Sequence, residues 1–128
     1  MRKIISTSQE ILDQMNSSNQ DVRFRVVIKL DQPSLHKMID DPVFIIRQQV
    51  AKRIDQPGLH KMIKDKNTGV RCRVAMRIDQ PGLHKMMNDP DSVVRWEVVR
   101  RIDQTGLGKM MNDPNPDVRK LVKERFKG

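Results

Sequence analysis

Aliphatic residues return along this chain with two spacings, four residues within a segment and 24 residues between segments. Val22, Ile46, Val70, Val94 and Val118 form one column; Val26, Val50, Val74, Val98 and Val122 form a second; Leu30, Ile54, Ile78, Ile102 and Phe126 form a third. Separations of i, i+4 and i+8 put all three on one side of a helix, and Val27, Ala51, Ala75 and Val99 at i+5 widen that stripe. Each segment therefore predicts a short amphipathic helix. Its apolar columns are mostly β-branched, which lowers intrinsic helix propensity, so the helix needs a neighbour to pack against. A single segment is expected not to fold alone.

The stripe stops at a recurring tripeptide, Asp31-Gln32-Pro33, Asp55-Gln56-Pro57 and Asp79-Gln80-Pro81, with Asp103-Gln104-Thr105 as its fourth copy. Proline disfavours a helical residue before it, and the aspartate can cap a new segment after it. That segment carries Leu59, Met62 and Ile63 in one copy and Leu83, Met86 and Met87 in the next, a spacing that suits a brief helix, 3₁₀ in part. Asn-Asp-Pro corners at 88–90 and 112–114 then lead into the next long helix. A fixed period of this size marks stacked supersecondary units, so the expected fold is all-α, a solenoid of about five units, each a short α-helix plus a shorter 3₁₀-like helix. Residues 1–20 read as an amino-terminal capping unit in which Ile11 and Met15 keep the apolar pattern. Residues 21–44, 45–68, 69–92 and 93–116 read as repeats and 117–128 as a capping helix, where Lys123 replaces the inward Val or Ala.

The succession of Val94-Arg95, Val98-Val99, Pro81, Leu83 and Asp89-Pro90 resembles the leucine-rich repeat variant family, over roughly residues 21–126. The resemblance implies a right-handed solenoid alternating α and 3₁₀ helices, similar to HEAT and armadillo arrays. Some members of that family hold an iron-sulfur cluster through amino-terminal cysteines; residues 1–20 contain none, so no cofactor is expected.

Composition narrows the function. With 128 residues the chain is the size of one domain, and its net charge of +9 predicts attraction to acidic partners: nucleic acid, anionic membrane or acidic protein. The apolar stretch in Met1-Arg2-Lys3-Ile4-Ile5-Ser6 stops too soon for an export signal, and no run of apolar residues predicts a membrane span. The lone Cys72 allows no internal disulfide and fits a reducing compartment, so a cytoplasmic protein is expected. No catalytic Ser, His and Asp set stands apart from the repeat and no phosphate-cradling glycine loop is present. The expectation is a binder without enzymatic activity or a small-molecule substrate; a HEAT-like DNA glycosylase is a distant alternative for which the chain is too short.

Three sets of columns are candidates for function. Arg23, Arg47, Arg71, Arg95 and Arg119 fall inside the apolar stripe and need partners there, which Asp41, Asp65, Asp89 and Asp113 at the preceding corner can supply; a structural Asp–Arg ladder is expected. Lys29, Arg53, Arg77, Arg101 and Arg125 form a second basic column on the outward side, joined one turn earlier by Arg25 and Arg73. With helices stacked about 8–10 Å apart, such a row would run some 35–40 Å and could track a polyanion, or merely keep the face solvated. The short segments add Lys37, Lys61, Lys85 and Lys109 beside His36, His60 and His84. Histidines about 10 Å apart cannot share a metal ion whose bonds are about 2 Å, so no metal is expected. Residues 53–65 and 77–89 agree at 11 of 13 positions, so this sameness is a mark of duplication as much as of use. Phe24, Cys72 and Trp96 share a column beside the stripe, where packing competes with base stacking. The leading expectation is a nucleic-acid or other polyanion scaffold using Arg25, Lys29, Arg53, Arg73, Arg77, Arg101, Arg125, Lys61, Lys85 and Trp96. A protein-interaction adaptor for an acidic or amphipathic surface is the alternative.

Overall fold

The computed structural model describes residues 7–127, and among these there are ten α-helices and no strand. Met1–Ser6, where an export signal was weighed, lie outside the described residues, as does Gly128. After α1 (Ser8–Met15), long helices alternate with short ones: α2 (Gln20–Val27), α3 (Gln32–Lys37), α4 (Phe44–Arg53), α5 (Gln56–Lys61), α6 (Thr68–Arg77), α7 (Gln80–Lys85), α8 (Ser92–Arg101), α9 (Gln104–Lys109) and α10 (Pro116–Lys127). The long helices pack in chain order, each against the next, and α1 packs on α2. The molecule is a stack of repeats.

Burial follows the columns. Val26, Val27, Ile46, Val50, Ala51, Ile54 and their equivalents in later units are shielded from water, and Leu35, Leu59, Leu83 and Leu107 of the short helices close the core from the other side. Phe126 departs from its column: it is exposed, whereas Ile54, Ile78 and Ile102 are buried beneath the short helices that follow them.

Most helices start on a residue suited to the task, whereas α4 follows Val43, which makes no side-chain cap. Asp31, Asp55, Asp79 and Asp103 are the N-caps of the short helices, and each accepts a hydrogen bond from the backbone N–H three residues on. Asn67 caps α6 in the same manner, and Asp91 caps α8 by accepting from Val93 N–H two residues on. The short helices are α-helical: Leu59 N–H donates to Asp55 O four residues back, at 2.9 Å. Three-residue bonds appear only afterwards, from Met62 to Leu59 and from Asp65 to Met62, so the expected 3₁₀ character belongs to the turn behind the helix.

Glycine at 58, 82 and 106 has a steric reason. A Cβ built at Gly58 would run into Cγ1 and Cδ1 of Ile54, and Gly82 and Gly106 stand in the same relation to Ile78 and Ile102. The first unit carries Ser34 instead, opposite Leu30, whose Cβ is unbranched. The close approach of short helix to long helix is thus written into coupled positions.

Candidate functional site

The Asp–Arg ladder is present, with a different wiring from the one expected. Arg47 donates through Nε to Asp65 Oδ2 at 2.8 Å and through Nη2 to Asp65 Oδ1 at 3.2 Å, so its carboxylate lies at the following corner. The preceding corner supplies a backbone carbonyl, Asp41 O, which accepts from Nη1 at 2.8 Å. Arg23, Arg71 and Arg95 pair with Asp41, Asp89 and Asp113 in the same bidentate geometry. Arg119 donates to Asp113 O. One arginine therefore ties two corners together. In the four aspartates the Oδ1 that meets Nη2 also accepts from a backbone N–H two residues on, as Asp113 Oδ1 does from Asn115. Burial alone would raise the Asp113 carboxyl, but hydrogen bonds from Arg95 and Asn115, with the charges of Arg95 and Arg119, outweigh it and hold the group below its ordinary value.

The second basic column does not point outward as a free row. Arg53 donates to Val27 O at 2.9 Å and Leu30 O at 2.6 Å, both in the preceding unit. Arg77 reaches Ala51 O and Ile54 O, Arg101 reaches Ala75 O, and Arg125 reaches Val99 O and Ile102 O. These carbonyls end the preceding long helix and have no partner within it, so a guanidinium there satisfies orphan acceptors and meets the negative end of the helix dipole. All four arginines are half-buried. Their assignment as a polyanion track is therefore corrected: they are inter-repeat caps. Lys29, in the same column, is exposed.

A third connection had no obvious signal in the sequence beyond its repetition. Gln32 donates through Nε2 to Arg53 O and accepts through Oε1 from Asp55 N–H; Gln56 and Gln80 repeat this with Arg77 and Asp79, and with Arg101 and Asp103. The glutamine of Asp-Gln-Pro reads the next unit's corner.

The histidines also join units. His36, His60 and His84 place Nε2 at 2.8, 2.8 and 2.9 Å from the capping carboxylates of Asp55, Asp79 and Asp103. Lys61 and Lys85 approach Nδ1 of His36 and His60 at 3.3 and 3.5 Å. An ammonium is only a donor, so these contacts fit the tautomer with hydrogen on Nε2, donated to the aspartate. Asp55 and Asp79 are held below the ordinary carboxyl value by these histidines and then by Gly58 and Gly82 N–H, Asp103 by Gly106 N–H and then His84. Among the described residues no group of three His, Cys, Asp or Glu is placed to hold a metal.

What stays open to solvent is a different set of cations. Lys37, Lys61, Lys85 and Lys109 close the four short helices and are all exposed, and Lys64 and Lys66 lie exposed at the corner after α5. A cleft of about 390 Å³ between two corners is lined by Ile39, Lys61, Lys64 and Lys66 above Arg47 and Asp65. On the long helices Arg25 is exposed, Arg73 is half-buried, and Trp96 lies at the surface with the Arg100 guanidinium 5.6 Å from its ring centre. Phe24 and Cys72, in the Trp96 column, pack half-buried against the core.

Helices in repeating pairs, stacked and tied corner to corner, define an α-helical repeat array. The fold is that of the leucine-rich repeat variant. The chain superposes with a TM-score of 0.84, at 28% identity, on a solved structure described as a leucine-rich repeat variant with a novel repetitive protein structural motif. The match covers 91% of this chain and 50% of that one, so the chain spans about half the length of the structure it resembles. No protein-family model matches the chain, and no curated protein does. Among the described residues no helix is long and apolar enough to cross a membrane.

Proposed function

We propose that this chain is a non-enzymatic scaffold that binds a polyanion, nucleic acid being the one its charge best suits, along the short-helix edge. The observation that carries the reading is the row Lys37, Lys61, Lys85 and Lys109, one exposed ammonium per unit at the end of each short helix. The arginines at 23, 47, 71 and 95 are neutralised by their aspartates, and those at 53, 77, 101 and 125 face backbone carbonyls, so neither set is offered to a ligand. The lysines differ. They repeat with the unit, as a phosphate backbone repeats, and a point charge on a flexible stem can follow phosphates without a fixed register.

Affinity from such contacts comes largely from counterion release and falls steeply with salt. Mobility-shift titrations against single-stranded DNA, duplex DNA and structured RNA at two salt concentrations test the reading. Binding at low salt that weakens at high salt, and that is lost in Lys61→Glu/Lys85→Glu, is the expected result. No binding at low salt despite the charge of +9 overturns it.

A further inference from the structure

The long helices agree wherever the stack needs them to and differ on one outer face. Positions i, i+3, i+4 and i+7 of a helix share a face, and here the last of them reads Ile28, Lys52, Met76, Arg100 and Glu124, all exposed. Three residues before Arg100, Glu97 replaces the Arg73 of the preceding unit, and Trp96 stands where Cys72 and Gln48 do. The short-helix edge behaves in the opposite way, keeping Lys in every unit and His in three of four. These units are copies, as residues 53–65 and 77–89 show with 11 identical positions of 13, and they diverge on this face and at the corners leading into the long helices, where Val43, Asn67, Asp91 and Asn115 share one position.

Drift on a solvated face favours small or charged residues, since large apolar side chains gain nothing there. This face has large ones instead: Ile28, Ile45, Met76 and Val93 are 51%, 46%, 44% and 57% exposed, and Trp96 is 36% exposed. Its charge is also ordered along the stack. Over α2 to α6 it carries Arg25, Lys52 and Arg73, with Asp21 as the one acid; over α8 and α10 Glu97 is paired with Arg100 at 3.0 Å, which leaves Asp117 and Glu124 against Lys120. Beside Trp96 a groove of about 410 Å³ opens between α8 and α10, floored by Val93, Val118 and Leu121 and flanked by Lys120 and Glu124.

We infer that this face docks one amphipathic segment of another protein, with acidic residues over α2 to α6, basic residues over α8 and α10, and a large apolar side chain in the groove beside Trp96. A uniform polymer presents the same group to every unit and is read by columns that stay the same. A protein segment presents a different group to each, and only a face that differs from unit to unit can match it. The ordered charge fixes the direction in which the segment lies, and the Trp96 groove, toward the α10 end of the face, supplies an aromatic-lined apolar anchor of the kind that carries much of the energy of such interfaces. The inference is independent of the polyanion reading, which concerns the other edge.

Selection from a random peptide library against the intact chain tests it. The selected peptides are expected to share an acidic-to-basic order around an apolar anchor and to shift the fluorescence of Trp96, the single tryptophan of the chain. Their affinity should fall about tenfold or more in Met76→Asp and in Val93→Asp, as for loss of an interface anchor. Both positions are exposed, and melting curves matching the wild type show that the fold is kept. Lys61→Gln/Lys85→Gln should leave peptide binding unchanged. Peptides without a common charge order, or binding that survives both aspartate variants, or binding lost with the two lysines, each overturns the inference. Failure of the polyanion reading would show itself separately, in oligonucleotide binding alone.

Discussion

Arginine has two structural uses in this chain, and they make different demands on the residue. Arg71 holds the Asp89 carboxylate and the Asp65 carbonyl, so Arg71→Ala strands a buried carboxylate. Breaking a buried pair from one side typically costs about 3–5 kcal/mol. Arg77→Ala frees two helix-end carbonyls instead, and hydrogen bonds to a charged donor are worth about 1.5–3 kcal/mol. Thermal melts should therefore rank Arg71→Ala below Arg77→Ala and both below Lys85→Ala, whose side chain is exposed. At Gly82 the close approach of Ile78 makes Gly82→Ala an overpacking change, expected to lower stability by about 1–3 kcal/mol in a denaturant titration.

Acid should act on the same network. The Asp113 carboxyl sits below its ordinary value of 3.8 in the folded chain. The capping Asp31, Asp55, Asp79 and Asp103 are lowered too. A lowered folded value means that the unfolded chain takes up protons first. The stabilisation is therefore complete above the ordinary carboxyl range and is lost as pH falls through the lowered values. Melting temperature should stay level from neutral pH to about 5 and drop below about 4. Asp113→Asn should melt below the wild type at neutral pH, with the gap closing in acid; a gap that stays constant would mean the charge contributes nothing.

At the scale of the element, no unit is complete by itself. A long helix leaves its last carbonyls to an arginine of the next unit, a short helix sends its glutamine to the next corner, and a histidine meets the next aspartate cap. A peptide of residues 69–92 should accordingly show no helical circular dichroism in water, and helicity should appear only when neighbouring units are joined to it. The apolar columns were legible in the sequence because burial is shared by every copy and shows as period. The arginine ladder was legible in kind, since a charge inside an apolar stripe requires a partner. Its wiring was not, because the aspartate six residues back is nearer in sequence than the one 18 residues on that each arginine holds, and only the turn geometry chooses between them.

The capping arginines were misread for a reason of the same sort. A helical wheel places Arg53 relative to its own helix, at the edge of the stripe seven residues after Ile46, and marks no partner for it there. The groups it meets are backbone carbonyls of the previous unit, and backbone carbonyls leave no mark in a pattern of side chains. The glutamines went unremarked as bridges because a polar residue at a corner ordinarily needs no partner but water.

Across the whole molecule, the repeat gives two edges with opposite character. The short-helix edge repeats its cations, and the long-helix face varies both charge and apolar content from unit to unit. A basic array whose two repeated arginine columns are occupied by its own backbone and aspartates leaves its lysines exposed. The salt dependence of single-stranded DNA binding, compared between the wild type and Lys37→Gln/Lys61→Gln/Lys85→Gln/Lys109→Gln, tests this division most directly. Each phosphate neutralised contributes about −0.7 to the slope of log K against log salt on a single strand. The structure predicts a steep slope in the wild type and a loss of most of it in the four-lysine variant, with the melting temperature unchanged. An unchanged slope in a variant that still folds would contradict the assignment of the lysine row.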